Sequence, residues 1–396
     1  MHMRGTFLIW AACAISLISG TQEEVGTLAE QAFSNAQSSL SNLCSAKDLA
    51  IRREWRTLSK PERRDYIDAV LCLQEKPSRF SMRPDAENFP GVKSRFDDFV
   101  AVHINMTMTI HYTANFLSWH RYFNWLYETA LRDECGYSGY QPFVPPYSPI
   151  QWFYLMILRY WEWSLDADDP RLSPIFDGSE YSMSGNGEYD PSFTGIVLGG
   201  NGIPYVPLPP GGSGGGCVYD GPFADMEVNL GPLAVYNVTP VEDLYTYNPR
   251  CLKRDLNPYV MRRWSTWSNL TDLFHTEDID AFQNVMQGYR DSGEWGVHGG
   301  GHYGVGGDPE GDFIVSPGDP IFYLHHAQID RVWWIWQMQD PENREYAISG
   351  TRTLMNIPPS ANGTLDDLLE VGVLAEARTM RELMSTIDGP LCYAYL

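Results

Sequence analysis

The sequence is poor in basic residues: 28 Lys and Arg stand against 50 Asp and Glu among 396 residues, which gives a net charge of −22 with histidine neutral. Binding to a phosphate backbone needs clustered Lys and Arg that displace counterions, so this balance argues against nucleic acid as a partner. The same charge disfavours an anionic membrane surface. The chain also lacks an uninterrupted run of 18 apolar residues, and we therefore expect no membrane-spanning helix.

The first twenty residues have the pattern of a secretory signal peptide. Arg4 precedes a largely apolar stretch over residues 6–18, and small residues follow up to Gly20. The stretch is too short to span a bilayer, which favours a removed signal over an anchor, with a buried terminal helix as the alternative. We predict that residues 1–20 are a signal peptide and that residues 21–396 form one secreted, extracellular catalytic domain.

Cysteine usage agrees with secretion. No Cys-x-x-Cys pair occurs, which argues against a zinc–thiolate site. Beyond the signal the cysteines are even in number, so we expect disulfides, although the sequence leaves their pairing open. Four Asn-x-Ser/Thr sequons, at Asn105, Asn237, Asn269 and Asn362, predict a glycoprotein. The cysteines concerned are Cys44, Cys72, Cys135, Cys217, Cys251 and Cys392.

Hydrophobic spacing gives a coarse prediction of secondary structure. With 43% hydrophobic and 20% charged residues, the chain can bury a large core. Apolar residues at helical intervals predict helices over residues 26–75, 115–134 and 276–290, and a last helix from Asp319-Pro320 to Gln339. Loops are predicted over residues 76–100 and over the Gly/Pro-rich residues 195–217.

Histidine is the most informative residue type in the sequence. Of nine histidines, three lie between His103 and His120 and five between His275 and His326. One histidine on an apolar face is usually a satisfied core residue, but two clusters on aromatic-rich helical faces favour metal binding. Nitrogen-only ligand sets suit copper, zinc or iron rather than magnesium or calcium. His-Glu-x-x-His is absent, and two trios indicate a binuclear site rather than one catalytic zinc.

The second cluster has local features of a metal site. His298 and His302 are four residues apart, which points both rings to the same side of a helical turn. The three glycines between them would each cost a helix about 1 kcal/mol relative to alanine, so we expect a metal ion to hold this turn. Asp330, four residues after His326, is expected to orient the ligand region.

These segments resemble one known family. Residues 111–123 (HYTANFLSWHRYF) resemble the first copper motif of tyrosinases, catechol oxidases and haemocyanins, and residues 319–331 (DPIFYLHHAQIDR) are similar to the second. Residues 160–163 (YWEW) look like the family's YWDW segment. The resemblance covers roughly residues 40–395 and identifies the chain as similar to the short fungal type 3 copper proteins.

The resemblance implies a mainly α fold: a four-helix bundle around a dicopper centre, with long loops and little β structure. In the family the second histidine of the HH pair is the ligand, so His325 would be structural. Phe322 would stack on a CuB imidazole, with plain core packing as the alternative. The implied ligands are His103, His111 and His120 for the copper ion CuA, and His298, His302 and His326 for CuB.

The resemblance also implies a reaction, in which O2 oxidises ortho-diphenols to ortho-quinones. Gly299 follows the first CuB ligand where many phenol-hydroxylating members carry Asn. Glu294 stands where the family has a Glu that, with this Asn, orders a water for deprotonating monophenols; a solvated surface Glu is an equal alternative. With Gly299, we expect ortho-diphenol oxidation and weak monophenol hydroxylation. The expected partners are O2 and phenolic small molecules, and the oligomeric state stays open.

Other functions remain compatible with the motifs. They include a tyrosinase with full monophenolase activity, an ortho-aminophenol oxidase that tailors a secondary metabolite, a haemocyanin-like O2 carrier, and a relative without copper. Only 70 residues follow His326, so we expect no C-terminal shielding domain. The nearest cysteine to His111 is Cys135, so we expect no thioether of the kind that many relatives form.

One segment does not fit the family. Relatives run from a stretch like Gly-Tyr-Gln-Pro almost directly into YWEW, whereas this chain inserts residues 143–159 (FVPPYSPIQWFYLMILR). Within it, the run from Gln151 to Leu158 is apolar, aromatic and uncharged, and so would be an aggregation hazard if exposed. We hypothesise that it is an unspliced intron in the gene model; a genuine substrate lid or dimer contact is the alternative.

Overall fold

The computed structural model describes residues 6–139, 159–200, 203–233, 241–289 and 292–396. Helices dominate this part of the chain, and its strands are short. The helices are α1 (Thr6–Ser38), α2 (Lys60–Glu75), α3 (Arg95–Ile110), α4 (Phe116–Cys135), α5 (Pro258–Trp264), α6 (Trp267–Phe274), α7 (Ile279–Gln287), α8 (Gly296–Val305), α9 (Ile321–Gln339) and α10 (Pro341–Arg344). The strands are β1 (Ala50–Glu54), β2 (Arg159–Tyr160), β3 (Ile196–Gly200), β4 (Ile203–Leu208), β5 (Glu227–Val228), β6 (Arg250–Cys251), β7 (Leu368–Leu369), β8 (Arg378–Thr379) and β9 (Tyr393–Tyr395).

The predicted mainly α fold is confirmed, and capping explains where two helices begin. At α2, Ser59 and Glu62 form a capping box, in which each side chain bonds to the other residue's backbone N–H. Ser94 and Asp97 form the same box at α3. The predicted helices over residues 115–134 and from Pro320 to Gln339 correspond to α4 and α9.

Three predictions of secondary structure are wrong. Residues 26–75 are not one helix, because residues 39–59 contain a loop and strand β1. The predicted loop over residues 76–100 ends early, since the capping box at Ser94 starts α3. Residues 195–217 are not all loop: β3 and β4 pair antiparallel, because a two-stranded ribbon has only edge strands and so tolerates Pro and Gly.

A small parallel sheet joins strand β1, near the start of the chain, to strand β9, near its C-terminus. Strand β1 lies between β2 and β9 and is parallel to both. A disulfide between Cys44 and Cys392 links the segments beside β1 and β9. Two further disulfides form within the fold, so the expected pairing of all six cysteines is resolved. They join Cys72 to Cys135 and Cys217 to Cys251.

Asp330 on α9 is the centre of a buried polar network. Its carboxylate accepts hydrogen bonds from Arg52 Nη1 at 2.9 Å and Arg121 Nε at 2.6 Å. The hydroxyls of Tyr393 and Tyr395 donate to the same carboxylate, both at 2.5 Å. The network therefore connects β1, α4, α9 and β9. Asp330 bonds to Arg121, the residue after His120, rather than to a histidine, so its role in orienting the ligand region stays a prediction.

Four helices, α3, α4, α8 and α9, carry the histidine clusters, and α4 and α8 both contact α9. No helix in the described ranges is long and apolar enough to cross a membrane. Residues 1–5 of the predicted signal, residues 143–158 of the insertion and the sequon at Asn237 lie outside the described residues. The signal peptide and the intron hypothesis therefore stay predictions.

Candidate metal centre

Two groups of histidines each bring their ring nitrogens within 4.8 Å of one another. All six histidines proposed as metal ligands are present in these groups. His325 is an additional member of the second group. The first group consists of His103, His111 and His120, and the second of His298, His302, His325 and His326.

In the first group, a hydrogen bond to a backbone carbonyl group orients every ring. His103 lies on α3, His111 is the C-cap that follows α3, and His120 lies on α4. Their Nδ1 atoms bond to the carbonyl oxygens of Ile314 at 2.8 Å, Thr107 at 3.0 Å and Phe116 at 2.8 Å. A carbonyl only accepts, so each neutral ring has its proton on Nδ1 and a lone pair on Nε2.

Unpartnered nitrogens in this group fit a bound cation. The Nε2 atoms of His103 and His120 are buried and have no hydrogen-bond partner in the described part of the chain. A buried polar atom without a partner costs about 1–3 kcal/mol, and such atoms are rare in native proteins. A metal ion that accepts the lone pairs of both atoms removes this cost.

The second group brings three nitrogens into unusually direct contact. His302 Nε2 lies 3.1 Å from His298 Nε2 and 3.2 Å from His326 Nε2. The Nδ1 atom of His302 bonds to the carboxylate of Glu310 at 2.8 Å, which leaves its Nε2 as a lone pair. Three Nε2 atoms that converge on one point suit a nitrogen-ligated transition metal.

His325 differs from the other rings because it accepts a hydrogen bond. The indole Nε1–H of Trp163 donates to His325 Nδ1 at 3.0 Å. The ring of His325 also lies parallel to that of His298, with centroids 5.8 Å apart and planes inclined by 14°. These contacts give His325 a packing role beside the three converging nitrogens.

Burial keeps the histidines neutral. Removal from water lowers the pKa of His111 to about 4 and lowers the pKa of the other six rings well below the usual value. Neighbouring imidazoles lower the pKa of the six rings other than His111 further, because two protonated rings would repel each other. Neutral rings offer the lone pairs that metal coordination needs.

The two groups form one centre. The rings of His120 and His326 stack with centroids 4.6 Å apart and planes inclined by 17°. Phe322 stacks on His326 at 4.1 Å and also lies 5.6 Å from His103, so this fully buried ring contacts both groups. Both interpretations of Phe322, as a partner of a ligand ring and as a core residue, agree with these contacts.

Gly299 lies in the first turn of α8, and Glu294 precedes that helix. Gly299 is buried, and a Cβ atom there would lie 2.7 Å from Trp295 Cβ. Glu294 is half-exposed and accepts hydrogen bonds from Trp264 Nε1 at 2.5 Å and Arg263 Nη2 at 2.9 Å. Each of its carboxylate oxygens therefore accepts one hydrogen bond, and the role predicted for Glu294 at the metal centre stays a prediction.

Close packing explains the glycines of α8. A Cβ atom at Gly301 would lie 2.1 Å from His325 Cε1, and one at Gly300 would lie 2.6 Å from Ser265 Oγ. At Gly304 it would lie 2.3 Å from Met261 Sδ. The glycines thus let α8 approach α5 and α9, which offsets their low helix propensity without requiring a metal ion.

Glu310 is the site residue that the sequence did not indicate. It lies eight residues after His302 in a loop and is fully buried, and burial raises its pKa well above the usual value. Helical spacing could not identify it, because the segment between α8 and α9 is not helical. The one sequence feature that could have indicated Glu310 as a site residue is its position in Asp-Pro-Glu, eight residues after His302.

The family model described as the common central domain of tyrosinase matches residues 93–339. This range contains both histidine groups and Glu310. Tyrosinase P of Aspergillus terreus is 40% identical over 357 residues, which cover 89% of this chain and 93% of that protein. N-acetyl-6-hydroxytryptophan oxidase of Emericella nidulans is 38% identical over 370 residues, with the same coverage of 89% and 93%.

A solved structure has the same fold. It is a polyphenol oxidase from Thermothelomyces thermophila that carries a glycine-to-asparagine substitution. It superposes with a TM-score of 0.84 at 42% sequence identity, and the match covers 94% of this chain and 98% of that one. The likeness therefore extends over almost the whole of both molecules.

Proposed function

The chain belongs to the tyrosinase family of binuclear copper oxidoreductases, and from this premise we propose that it oxidises ortho-diphenols to ortho-quinones with O2. We further propose that it hydroxylates monophenols only weakly. The observation that carries the choice between these activities is the surroundings of His298. There, Gly299 offers no side chain, and Glu294 is bonded to Arg263 and Trp264.

We propose two sets of copper ligands. His103, His111 and His120 would hold the first ion, and His298, His302 and His326 would hold the second. The geometry that supports this is the direction of the lone pairs: hydrogen bonds at Nδ1 leave Nε2 free in four of these rings. When bound, a copper pair supplies the binding of O2 and the two-electron oxidation of the diphenol.

The protein's own part is to hold the rings rigidly and to control access. His103, His120 and His326 are almost completely buried, whereas His298 is partly exposed. Phe313 is 37% exposed and lies edge-on to the ring of His111, with centroids 5.8 Å apart. We propose that the phenol approaches between Phe313 and His298, because Phe313 offers exposed aromatic surface beside His111 and His298 is itself partly exposed.

The preference for diphenols follows from proton removal. A monophenol must lose its proton to a nearby acceptor before it can bind as a phenolate, and a general base must lie within hydrogen-bond reach of that proton. The carboxylate of Glu294 is oriented towards Arg263 and Trp264, each of which donates to one of its oxygens. Arg263 and Trp264 lower the pKa of Glu294 against the opposing effect of burial, which makes it a weak base.

The test is a kinetic comparison on copper-loaded protein with matched substrates, 4-methylphenol and 4-methylcatechol. We expect quinone formation from the catechol at a kcat/KM at least about a hundredfold above that for the phenol, which corresponds to roughly 2.7 kcal/mol. Comparable values for both substrates would contradict the proposed preference. Reversible O2 binding without any quinone would contradict the oxidase itself and favour a carrier.

A second candidate substrate class comes from one relative. The Emericella nidulans protein is named as an oxidase of N-acetyl-6-hydroxytryptophan, a hydroxylated indole. We propose that 2-aminophenol and 6-hydroxyindole be assayed beside the catechol. A kcat/KM for either compound above that of 4-methylcatechol would shift the assignment to the tailoring of a nitrogen-containing metabolite.

We also propose that the protein is secreted. Support comes from the three disulfides, which persist in oxidising compartments, and from the signal pattern of residues 1–20. Sequencing the N-terminus of protein from the culture medium tests this, with a start near residue 21 as the expected result. An intact N-terminus on intracellular protein would contradict it.

We propose, finally, that residues 143–159 are absent from the mature protein. Support comes from the family pattern, in which YWEW follows directly on the preceding segment. Sequencing the mature transcript decides the question, and a message that encodes Trp152 and Phe153 would end the hypothesis.

A further inference from the structure

Two buried side chains next to the second histidine group have opposite hydrogen-bonding roles. The carboxylate of Glu310 accepts from His302, whereas the indole of Trp163 donates to His325. The rings of His302 and His325 are neighbours, with centroids 4.5 Å apart, and both are buried. Burial therefore does not distinguish these two rings as copper ligands, whereas their hydrogen-bond partners do.

The tautomer of each ring follows from its partner. A neutral imidazole has one N–H and one lone pair, and the partner at one nitrogen fixes which nitrogen carries the proton. Indole Nε1–H can only donate, so His325 accepts at Nδ1 and carries its proton on Nε2. Glu310 Oε1 accepts from His302 Nδ1, so the lone pair of His302 lies on Nε2.

We propose that Glu310 and Trp163 together select the ligands of the second copper ion. Glu310 directs the Nε2 lone pair of His302 towards His298 and His326, whose Nε2 atoms lie 3.1 and 3.2 Å away. Trp163 occupies the only lone pair of His325 and thereby withdraws this ring from coordination. Glu310 and Trp163 are positioning residues in this scheme, and the inference rests on the proposed copper ligands.

The backbone around His325 reinforces the selection. Gly301 lies so close that a Cβ atom there would be 2.2 Å from His325 Nδ1, the atom that accepts from Trp163. The ring of His325 also stacks on His298. The protein thus holds His325 in one orientation, in which it supports a ligand ring without being one.

The first experiment observes the tautomers directly. Copper-loaded protein labelled with 15N-histidine is reduced anaerobically, which makes both copper ions diamagnetic, and long-range 1H–15N spectra then report which nitrogen of each ring carries the proton. We expect a protonated Nδ1 in His302 and a protonated Nε2 in His325. A protonated Nδ1 in His325 would overturn the proposal.

The Trp163→Phe variant removes the donor and keeps an aromatic ring. We expect His325 to lose its single tautomer and the copper content to stay at two ions per chain. The matched control is Trp161→Phe, since Trp161 is equally buried and its indole donates to Asp166 rather than to a histidine. An unchanged His325 spectrum in Trp163→Phe would contradict the role of Trp163.

The Glu310→Leu and Glu310→Gln variants separate the hydrogen bond from the volume of the side chain. Loss of a hydrogen bond to a ligand typically weakens metal binding about 10- to 100-fold, so Glu310→Leu should release one copper ion to a chelator at least about tenfold faster. Glu310→Gln, whose amide oxygen still accepts, should stay within about threefold of the wild type.

The control for Glu310 is Asp308→Asn, because Asp308 is also buried but pairs with Arg250. Wild-type copper release from Glu310→Leu would overturn the role of Glu310. A wild-type protein that binds no copper would instead contradict the proposed function, so the two failures are distinguishable. If Glu310→Leu does not fold, Glu310→Gln and Trp163→Phe still test the proposal through the tautomers.

Discussion

The two histidine groups differ in what fixes their rings. In the first group every Nδ1 bonds to a backbone carbonyl, those of Ile314, Thr107 and Phe116. In the second group the partners are side chains, because Glu310 accepts from His302 and Trp163 donates to His325. Backbone carbonyl groups therefore orient the rings of the first group, whereas side chains orient His302 and His325 in the second.

The groups also differ in the elements that carry them. All four rings of the second group lie on α8 and α9. In the first group, His111 caps the C-terminus of α3 and precedes Tyr112, which has a left-handed φ of 51°. This loop position gives His111 less support from helical hydrogen bonds than the other rings have. The least supported ring of the first group is thus His111, which lies in a loop. The second group instead contains two adjacent rings, His325 and His326, of which we propose only His326 as a ligand.

The largest expected effect separates the two adjacent histidines of the second group. His326→Ala should reduce the copper content from two ions to one and lower kcat on the order of a thousandfold or more, because a copper site loses one of its three ligands. His325→Ala should keep two copper ions and lower kcat by less than about tenfold. Metal analysis and the catechol assay measure both quantities on the same preparations.

An equal loss of copper from the two variants would remove the distinction between His325 and His326. His120→Ala provides the reference in the first group, since its ring is also buried on a helix. It should lose one ion and its activity as His326→Ala does. A first-group variant that retained activity would show that the reaction needs only one of the two ions.

Asp330→Asn should damage both groups together. Asp330 on α9 bonds to Arg121, the residue after His120, so it connects the helices of both ligand sets. Removing one member of a buried ion pair typically costs about 3–5 kcal/mol, and both copper ions should then be lost in parallel on mild heating. Thermal unfolding and copper content measure the effect, and selective loss of one ion would contradict a shared frame.

The same variant should change the dependence of stability on pH. Burial alone would raise the pKa of Asp330, but the guanidinium groups of Arg121 and Arg52 and the two tyrosine hydroxyls lower it below the usual value. A lowered pKa in the folded state stabilises the protein above the unfolded value of about 3.9, and this contribution is lost as pH falls through the folded pKa. The stability difference between wild type and Asp330→Asn should therefore shrink in that acidic range.

The sequence contained most of the information for the first group and less for the second. The periodicity around His120 predicted α4, and the segment after Asp319-Pro320 predicted α9, because both helices have long apolar faces. Helical spacing also brought His298 and His302 together. It could not indicate Glu310, which reaches His302 from a loop, since no periodic pattern relates a loop residue to a helix.

Other failures have equally specific causes. Asp330 lies four residues after His326, and this spacing suggested a contact with the histidines. Its four partners instead come from β1, α4 and β9, and only the tertiary fold brings them together. The glycines of α8 pack closely against α5 and His325, which the spacing did not reveal, and the expectation that a metal ion holds this turn stays a prediction. Both features were missed because sequence spacing describes neighbours along one helix and not neighbours across the core.

Gln287→Ala should weaken the first group at its loop. Gln287 is buried at the end of α7, where its side-chain oxygen accepts from the N–H of Tyr112 at 3.0 Å and its carbonyl oxygen accepts from the hydroxyl of Tyr112 at 2.9 Å. Removing the side chain leaves one buried N–H unpaired, at a cost of about 1–3 kcal/mol. The rate of release of one copper ion to a chelator should rise about tenfold.

The control for this variant is Asn284→Ala, on the same helix, because the side chain of Asn284 bonds only to Asp280 in the contacts of the described residues. It should release copper at the wild-type rate. Tyr112→Phe sharpens the test, since it removes the hydroxyl and keeps the N–H bond to Gln287, so its effect should be smaller. A wild-type rate in Gln287→Ala would mean that Thr107 alone suffices to hold His111.

Gly299→Asn should have the smallest effect and acts only on the second group. An amide beside His298 would add an acceptor and a donor where Gly299 has neither, and could hold a water against the substrate hydroxyl. One hydrogen bond contributes about 1 kcal/mol, so we expect the ratio of monophenol to diphenol kcat/KM to rise about fivefold. The new Cβ would lie 2.7 Å from Trp295 Cβ, so α8 or Trp295 must shift to accept it.

Gly299→Ala separates the amide from that steric change, because it adds the Cβ atom alone. If the ratio rises with Asn and not with Ala, the amide is the cause, and the absence of a side chain at position 299 limits monophenol turnover in the wild type. If both variants raise it equally, displacement of Trp295 is the cause instead. An unchanged ratio in Gly299→Asn would shift attention to Glu294, whose carboxylate would still be bonded to Arg263 and Trp264.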